Sequence, residues 1–470
     1  MKTLESRMSG AAPLAGLQAA LGPRSEHATP LPDRAALHPP WVLYGVIAFE
    51  ITCQMLLLFP IFATARVLLR TAAFGGNLAL LFVLRRSQKN HPSSTLALIV
   101  IAIIFVSILH PTTVSGWAGV ATAALYSAIL APIFWVQRVR VDMRTARNVL
   151  FLLWAFNTTS ALVGALQMYF PGHLQPALAT GTAFDDDAYV ESLKIELASG
   201  ERVLRPMGLT DTPGGAAFAS LYSVVLGVGF LLGRPRLWFR AVLIASMALA
   251  LVSLYLSQVR SVFVMLVISL LSMGLPFVLQ RRTRRFLTLV AVIVAVGAAG
   301  FTLAVSLGGD LVLSRLSSLW EDSPGTVYYT NRGKFLEYTL IELLPQYPLG
   351  VGLGRWGMIN SYFGERLSGP RPMWAEINWT GWLYDGGLPL MLAYAGAIYV
   401  ALRTSLRIAR GPSNAPNESL QRWAAIVFGY GVGALASTFN ACIFASTGGV
   451  DFWILNATIF AASDQLGDGT

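Results

Sequence analysis

Charged residues are scarce in this sequence, and cysteine is almost absent. Of the 470 residues, 12% are charged and 55% are hydrophobic, and the mean hydropathy is +0.59. Soluble globular domains carry about 25% charged residues, so this composition excludes that class. Two cysteines cannot form a disulfide framework, and no cysteine or histidine spacing typical of a metal site occurs. The sequence also has no internal repeat and no heptad pattern. These features together predict a membrane protein without a metal centre.

Long apolar stretches recur from Trp41 onward. Each is long enough to cross a hydrocarbon core roughly 30 Å thick as a helix. Lipid cannot hydrogen-bond to exposed backbone groups, so helices are expected. The predicted fold is therefore an all-α polytopic membrane protein with about twelve spans. The predicted spans are residues 41–62, 67–84, 94–110, 115–136, 148–170, 213–233, 238–257, 261–279, 286–307, 381–402, 422–442 and 446–463.

Most of the positive charge follows the even-numbered spans. Cytoplasmic loops are enriched in Lys and Arg, so both termini are predicted to be cytoplasmic. The two long loops, residues 171–212 and 308–380, are then expected on the outer side. The residues that set this orientation are Arg85, Arg86, Lys89, Arg138, Arg140, Arg144, Arg147, Arg234, Arg236, Arg240, Arg281, Arg282, Arg284, Arg285, Arg403, Arg407, Arg410 and Arg422.

The first 40 residues differ from the rest of the chain. They are polar and rich in Pro and Ala, and they contain no apolar core bounded by a cleavage site. We predict a disordered cytoplasmic tail over residues 1–40 and a transmembrane domain over residues 41–470. The net charge of +10 matches anionic lipid headgroups at cytoplasmic loops, so no nucleic-acid partner is expected.

Several arginines fall on the predicted outer side, against the charge bias. Arg260 stands in YLSQVRSVF between two apolar runs, where an arginine is costly unless it faces a polar cavity or an anion. The alternative is that it only extends to the outer headgroups. Arg205 begins RPMGLTDTPGG, in which residues 211–213 are expected to start the sixth span as cap and first turn. Guanidinium groups bind phosphate oxygens at two points, so the predicted ligand is a lipid diphosphate.

A different role is predicted for Arg66 and Arg70. The two residues lie one helical turn apart and share a helix face. We interpret them as an anchor at the membrane interface.

The larger outer loop contains an amphipathic segment. Apolar residues at helical spacing predict a helix along the interface over residues 332–344. Arg332 and Lys334 are expected to mark its beginning. Two prolines, Pro345 and Pro348, are expected to end it.

The segment GLGRWG, residues 352–357, follows these prolines and has the spacing G-x-G-x-x-G. A dinucleotide site with this spacing requires a preceding buried strand within a βαβ unit. The residues before this segment predict a helix and include two prolines, so they do not form the required strand. We therefore reject a nucleotide site. Two interpretations stay open: a backbone that approaches a phosphate beside Arg355, and a loop that is merely rich in glycine.

Two carboxylates stand near the start of the tenth span, in RPMWAEINWTGWLYDGGLP. Glu376 and Asp385 are nine residues apart, which is about 13 Å along a continuous helix. The tryptophans between them suit sugar stacking, but they suit an interfacial aromatic belt equally well. Histidine offers little as a base, because none of the five histidines falls in the larger outer loop.

The order of these motifs resembles that of the O-antigen ligase and polymerase superfamily. An R-x-x-G motif spans Arg205 to Gly208, and S-x-x-R-S spans Ser257 to Ser261. A large outer loop follows, with Arg332 and with P-L-G-V-G-x-G from Pro348 to Gly354. The similarity covers about residues 200–395, and the rest of the chain matches only in topology.

The resemblance implies a GT-C-like membrane glycosyltransferase in the bacterial cytoplasmic (inner) membrane, with its active site facing the periplasm. Its substrates would be an undecaprenyl-pyrophosphate-linked glycan donor and a glycan acceptor, with membrane lipids and a chain-length regulator as further partners. In that family, the donor is not expected to be a nucleotide sugar, and no cofactor is expected. The arginines that would hold the diphosphate are Arg205, Arg260, Arg332 and Arg355.

One departure from the family pattern affects the prediction of activity. Ligases that attach O-antigen to lipid A core commonly carry a histidine about nine residues before an acidic residue, and here that position is Glu376. This favours a polysaccharide polymerase, with Glu376 as the base and with Asp211 and Asp385 as orienting carboxylates. Transfer of a glycan to a lipid or protein acceptor is an alternative. A transporter of an anionic solute is a second one, although the sequence shows neither the paired halves nor the broken spans of many transporters.

Overall fold

The computed structural model describes residues 37–84, 90–170, 174–175, 191, 193–196, 202–233, 235–308, 323–363, 372–373, 377–411 and 418–467. Most of these residues are helical. The twelve main helices are α1 (Trp41–Leu56), α2 (Arg66–Val83), α3 (Ser94–Ser107), α4 (Gly116–Leu130), α5 (Met143–Tyr169), α6 (Gly215–Leu231), α7 (Leu237–Ser257), α8 (Arg260–Leu279), α9 (Thr283–Gly308), α10 (Asn378–Ala409), α11 (Glu418–Ser437) and α12 (Thr447–Gly467).

Short elements join these helices. Strands β1 (Lys194–Glu196) and β2 (Arg202–Leu204) pair antiparallel, with Ile195 opposite Val203. Four other described regions consist of short helices only. These are Pro60–Ala65, then Pro132–Trp135 with Val136–Arg138, Met358–Phe363 and Ile443–Ala445. Residues 324–346 form one further helix, in which two π-helical turns, Tyr329–Gly333 and Thr339–Leu343, interrupt the α-helical hydrogen bonds.

Seven helical segments are long and apolar enough to cross a membrane. This property supports a membrane-embedded, mostly helical protein. Three shorter apolar helices, α1, α3 and α6, accompany them. The structure has a helix at each predicted span, but the count of twelve crossings stays a prediction. The seven segments are Arg66–Val83, Gly116–Arg138, Met143–Tyr169, Leu237–Ser257, Arg260–Leu279, Thr283–Ser306 and Asn378–Ala409.

Some helix ends differ from the predicted spans for local reasons. Helix α1 ends at Leu56 instead of residue 62, because Pro60 has no amide hydrogen with which to continue the helix. Helix α5 begins at Met143 instead of residue 148, because the Asp142 side chain accepts a hydrogen bond from Thr145 N at 2.7 Å and caps the helix. Cys442, predicted inside a span, follows the end of α11 in the connection to α12.

The connections define two ends of the helix bundle. At the end that we call the loop end, residues 108–115, 205–214, 258–259 and 438–446 connect helices. The basic end lies opposite, where Arg285 pairs with Glu418 at 2.7 Å and Arg138 donates to the carbonyls of Leu81 and Leu84. The predicted tail lies outside the described residues, apart from residues 37–40.

Helix α10 is broken at Gly386 and Gly387. Gly387 has φ 65° and ψ −157°, a conformation open mainly to glycine. The backbone of residues 348–351 fills the break: Leu388 N donates to Pro348 O at 3.0 Å, and Val351 N donates to Tyr384 O at 2.7 Å. The expectation that no span is broken was therefore wrong. Both hydrogen bonds join backbone groups at the break to residues 348–351.

His91 gives the basic end a pH-dependent contribution to stability. Its ring is buried before α3, where Nδ1 accepts a hydrogen bond from Ser93 N at 3.1 Å. Burial lowers the pKa of His91 to about 4, because a charged ring would lose its hydration. A group whose pKa is depressed in the folded state stabilises the protein above its unfolded pKa of about 6.5. That contribution is lost as the pH falls from there towards 4.

We expect the thermal unfolding midpoint of the purified protein to fall between pH 6.5 and pH 4. In His91→Asn, the amide oxygen still accepts from Ser93 N but does not titrate, so the fall should be smaller. Thermal unfolding of both proteins across this range measures the difference. Identical pH profiles would show that His91 does not carry the effect.

Candidate functional site

The loop that carries Arg205 is fixed to helix α5. Gln167 Oε1 accepts hydrogen bonds from Met207 N and Gly208 N, each at 2.8 Å. Ser160 Oγ accepts from Leu209 N at 2.9 Å. Two polar side chains that lie two turns apart on one face of α5 thus fix the backbone of the R-x-x-G motif and the residue after it. Contacts with α5 therefore help to set the orientation of this segment.

The same loop meets the turn that carries Arg260. A Cβ atom built on Gly214 would lie 3.4 Å from Val259 Cγ2, in van der Waals contact. Arg260 follows directly, as the first residue of α8. A cation there faces the positive end of the helix dipole, so a bound anion would relieve the repulsion. The structure therefore places the end of the loop that follows Arg205 beside the turn that precedes Arg260, and a shared diphosphate site stays a prediction.

Asp211 has a role that differs from the predicted helix cap. Helix α6 begins at Gly215, and its N-cap residue, Gly214, has φ 83°. Asp211 instead accepts from Arg70, with Oδ2 3.1 Å from Nε and 2.5 Å from Nη2. The side chains are 23% and 8% exposed for Arg70 and Asp211, respectively. Arg70 is thus tied to the loop that carries Arg205 and is more than an interfacial anchor.

Arg355 is almost completely buried between the glycine-rich segment and the α3–α4 connection. Its Nε donates to Thr112 O at 2.6 Å, and burial lowers the pKa of its guanidinium group. Gly352 allows this contact, because a Cβ there would lie 2.6 Å from Thr113 N. Leu353 O accepts from Val114 N at 3.1 Å. The glycines of GLGRWG let two stretches of backbone pack together, and a phosphate beside Arg355 stays a prediction.

Asp385 lies inside the helix bundle. It is 3% exposed, and its Oδ2 accepts a hydrogen bond from the Tyr126 hydroxyl group at 2.9 Å. Glu376 lies outside the described residues, so its prediction as the base stays a prediction. Helix α10 begins at Asn378, and the estimate of 13 Å along a continuous helix therefore does not apply to this pair.

Arg332 lies in the first π-helical turn of residues 324–346. This helix begins at Pro324, eight residues before the predicted beginning, and it ends at Gln346. Next to Arg332, the Tyr328 hydroxyl group donates to Phe439 O at 3.2 Å in the α11–α12 connection. This hydrogen bond joins the helix that carries Arg332 to the α11–α12 connection, whereas Arg205 precedes α6 and Arg260 begins α8.

An open cleft runs along one face of this helix. The Tyr329 hydroxyl group donates to Glu337 Oε2 at 2.6 Å, and this hydrogen bond raises the pKa of Tyr329. Carboxylates and tyrosine rings together suit the hydroxyl groups and apolar faces of a sugar. The lining residues are Tyr329, Lys334, Glu337, Tyr338, Ile341 and Glu342.

The sequence indicated two contacts, Arg70–Asp211 and Tyr126–Asp385, to different degrees. The spacing of Arg66 and Arg70 indicated a shared face, yet nothing local indicated that Asp211, 141 residues away, would pair with it. Tyr126 carried no signal at all, since its partner Asp385 lies 259 residues further on.

No protein-family model matches the sequence, and no curated protein matches it. The apolar helices define the class as a membrane-embedded, mostly helical protein, and the arginine-bearing loop end is its candidate site.

Proposed function

We propose that this protein is a membrane glycosyltransferase. It polymerises undecaprenyl-pyrophosphate-linked oligosaccharide repeats into O-antigen or exopolysaccharide at the outer face of the cytoplasmic membrane. The observation that carries the proposal is the contact between Gly214 and Val259. The loop that follows the R-x-x-G motif lies there beside the S-x-x-R-S motif, and the order and spacing of these motifs resemble those of the O-antigen ligase and polymerase superfamily.

The proposed reaction is a direct displacement at the anomeric carbon of the donor glycan. The acceptor hydroxyl oxygen forms the new glycosidic bond, and the diphosphate leaves with the electron pair of the bond that breaks. Glu376 takes the hydroxyl proton. The leaving diphosphate gains negative charge, so guanidinium groups held beside it stabilise the transition state more than the ground state. Arg205 and Arg260 supply these groups, and the reaction inverts the anomeric configuration.

Purified protein incubated with one lipid-linked repeat unit tests this proposal. A polymerase should convert the repeat into a ladder of products that differ by one unit each, resolved by gel electrophoresis or mass spectrometry. A ligase would give a single product, and only after a foreign acceptor is added. Failure to transfer glycan from any of several lipid-linked donors would contradict both activities.

The break in α10 favours a second candidate, a transporter of an anionic solute. Many transporters bind substrate at discontinuous helices. Here, however, the backbone at residues 348–351 occupies the break, and this supports the enzyme. Uptake of an anionic solute into vesicles that contain the protein, without glycan transfer, would support the transporter.

A further inference from the structure

The ion pair between Arg70 and Asp211 lies at the candidate site and has no role in the reaction described so far. Both nitrogens on one edge of the Arg70 guanidinium group donate to one oxygen, Asp211 Oδ2. A non-bridging phosphate oxygen accepts hydrogen bonds from that edge in the same manner. The carboxylate of Asp211 is therefore a chemical equivalent of the anion that the site is proposed to bind.

The position of the pair relative to Arg260 is set by a short stretch of chain. Asp211 bonds to Arg70, and Gly214, three residues later, contacts Val259 next to Arg260. Three residues span at most about 11 Å even when fully extended. The ion pair and the turn that carries Arg260 therefore lie in the same part of the loop end.

Helix α2 is held in a way that permits this movement. It buries only Ala73 and Asn77. Four hydrogen bonds of Asn77 and Arg138 hold it further from the loop end. The Asn77 amide nitrogen donates to Glu50 and its oxygen accepts from Trp135, and Arg138 donates to the carbonyls of Leu81 and Leu84. The loop end of α2 can therefore change its anionic partner without losing the packing of the helix.

We propose that Arg70 is a further diphosphate-binding residue, and that Asp211 is a resident counter-anion which the diphosphate of the lipid-linked donor displaces. This inference rests on the proposed function for the identity of the donor. In the absence of donor, Asp211 neutralises Arg70. When the donor binds, Arg70 exchanges the carboxylate for a phosphate oxygen, and the competing carboxylate lowers the apparent affinity.

The test is the affinity of the full-length protein, in nanodiscs, for undecaprenyl diphosphate without a glycan. Arg70→Ala should weaken binding roughly ten- to a hundredfold, because a charge-assisted two-point contact is lost. Asp211→Asn should tighten it by roughly three- to tenfold, because the competing anion is removed and a larger fraction of the protein is ready to bind. The double variant should bind no better than Arg70→Ala, since Asp211 acts through Arg70.

A matched control and a milder variant separate binding from folding. Arg285→Ala removes an arginine from the ion pair with Glu418 at the basic end, and it should leave the affinity unchanged. Arg70→Gln keeps much of the side-chain length and should weaken binding as Arg70→Ala does. If Arg70→Ala fails to fold, Arg70→Gln and Asp211→Asn are still expected to change the affinity in opposite directions. Weaker binding in both Arg70→Ala and Asp211→Asn would identify a purely structural ion pair and overturn the proposal.

Separate measurements test whether the bound diphosphate belongs to a lipid and whether the proposed function is correct. Undecaprenyl diphosphate is expected to bind more tightly than inorganic pyrophosphate, and equal affinity would overturn the assignment to a lipid headgroup. Opposite effects of the two substitutions, without glycan transfer by the wild type, would contradict the proposed function alone. Normal glycan transfer with parallel effects of the two substitutions would contradict this inference alone.

Discussion

Replacement of Arg260 by alanine is expected to reduce the rate of glycan transfer by roughly 100- to 1,000-fold, a loss typical of removing one preorganised group that stabilises developing charge. Arg260 begins α8 and lies beside the contact between Gly214 and Val259. Its charge cannot be replaced by the backbone of α8, whose exposed amide groups carry only partial charges. The measurement is the initial rate of chain extension with a lipid-linked repeat, at equal amounts of folded protein.

Arg240→Ala is the control for this experiment. Arg240 is exposed in the first turn of α7, at the basic end, where its Nε donates to Pro235 O at 2.9 Å. The Arg240→Ala variant should transfer glycan at the wild-type rate. Any loss of rate in this variant measures the general effect of removing one positive charge, and it is subtracted from the loss in Arg260→Ala. Undiminished transfer by Arg260→Ala would remove this residue from the site, and with it the main support for the proposed arrangement.

Replacement of Gly387 by alanine is expected to lower the free energy of unfolding by about 3–5 kcal/mol, which places it among the most damaging single substitutions. Two effects add. At φ 65° and ψ −157° an alanine is strained. Its Cβ would also lie 2.2 Å from Pro348 O and 2.5 Å from Gly350 N, so the segment that fills the break in α10 must move. Unfolding by heat or denaturant, followed for both proteins in the same detergent, measures the loss.

Gly357→Ala separates these two effects. Gly357 also has a positive φ, 74°, but a Cβ there meets nothing within 4 Å. Its replacement should therefore cost only the conformational part, about 1 kcal/mol. Equal losses in the two variants would mean that residues 348–351 do not pack tightly into the break. Since Arg355 follows this segment, Gly387→Ala should also disturb its hydrogen bond to Thr112.

In the candidate site, local sequence patterns indicate the arginines but not the residues that they contact. Arg205 and Arg260 are candidates because an arginine among apolar residues, against the charge bias, is conspicuous in the sequence alone. Arg355 is a candidate on the same side of the membrane, but its burial against Thr112 and the glycine packing around it depend on a connection more than 200 residues earlier in the chain. A charge pattern indicates that an arginine needs a partner, and it does not indicate which partner.

The sequence by itself determined the class of fold and the position of each main helix. A helix in lipid satisfies its backbone hydrogen bonds within one segment, so a run of apolar residues is sufficient to specify it. Only the tertiary structure decided the break in α10, the pairing of Arg70 with Asp211 and the burial of Asp385 against Tyr126. Each of these joins residues distant in the chain, and no periodicity or local propensity encodes such a contact. It arises when packing brings polar groups together where water is absent, so that each must bond to another part of the protein.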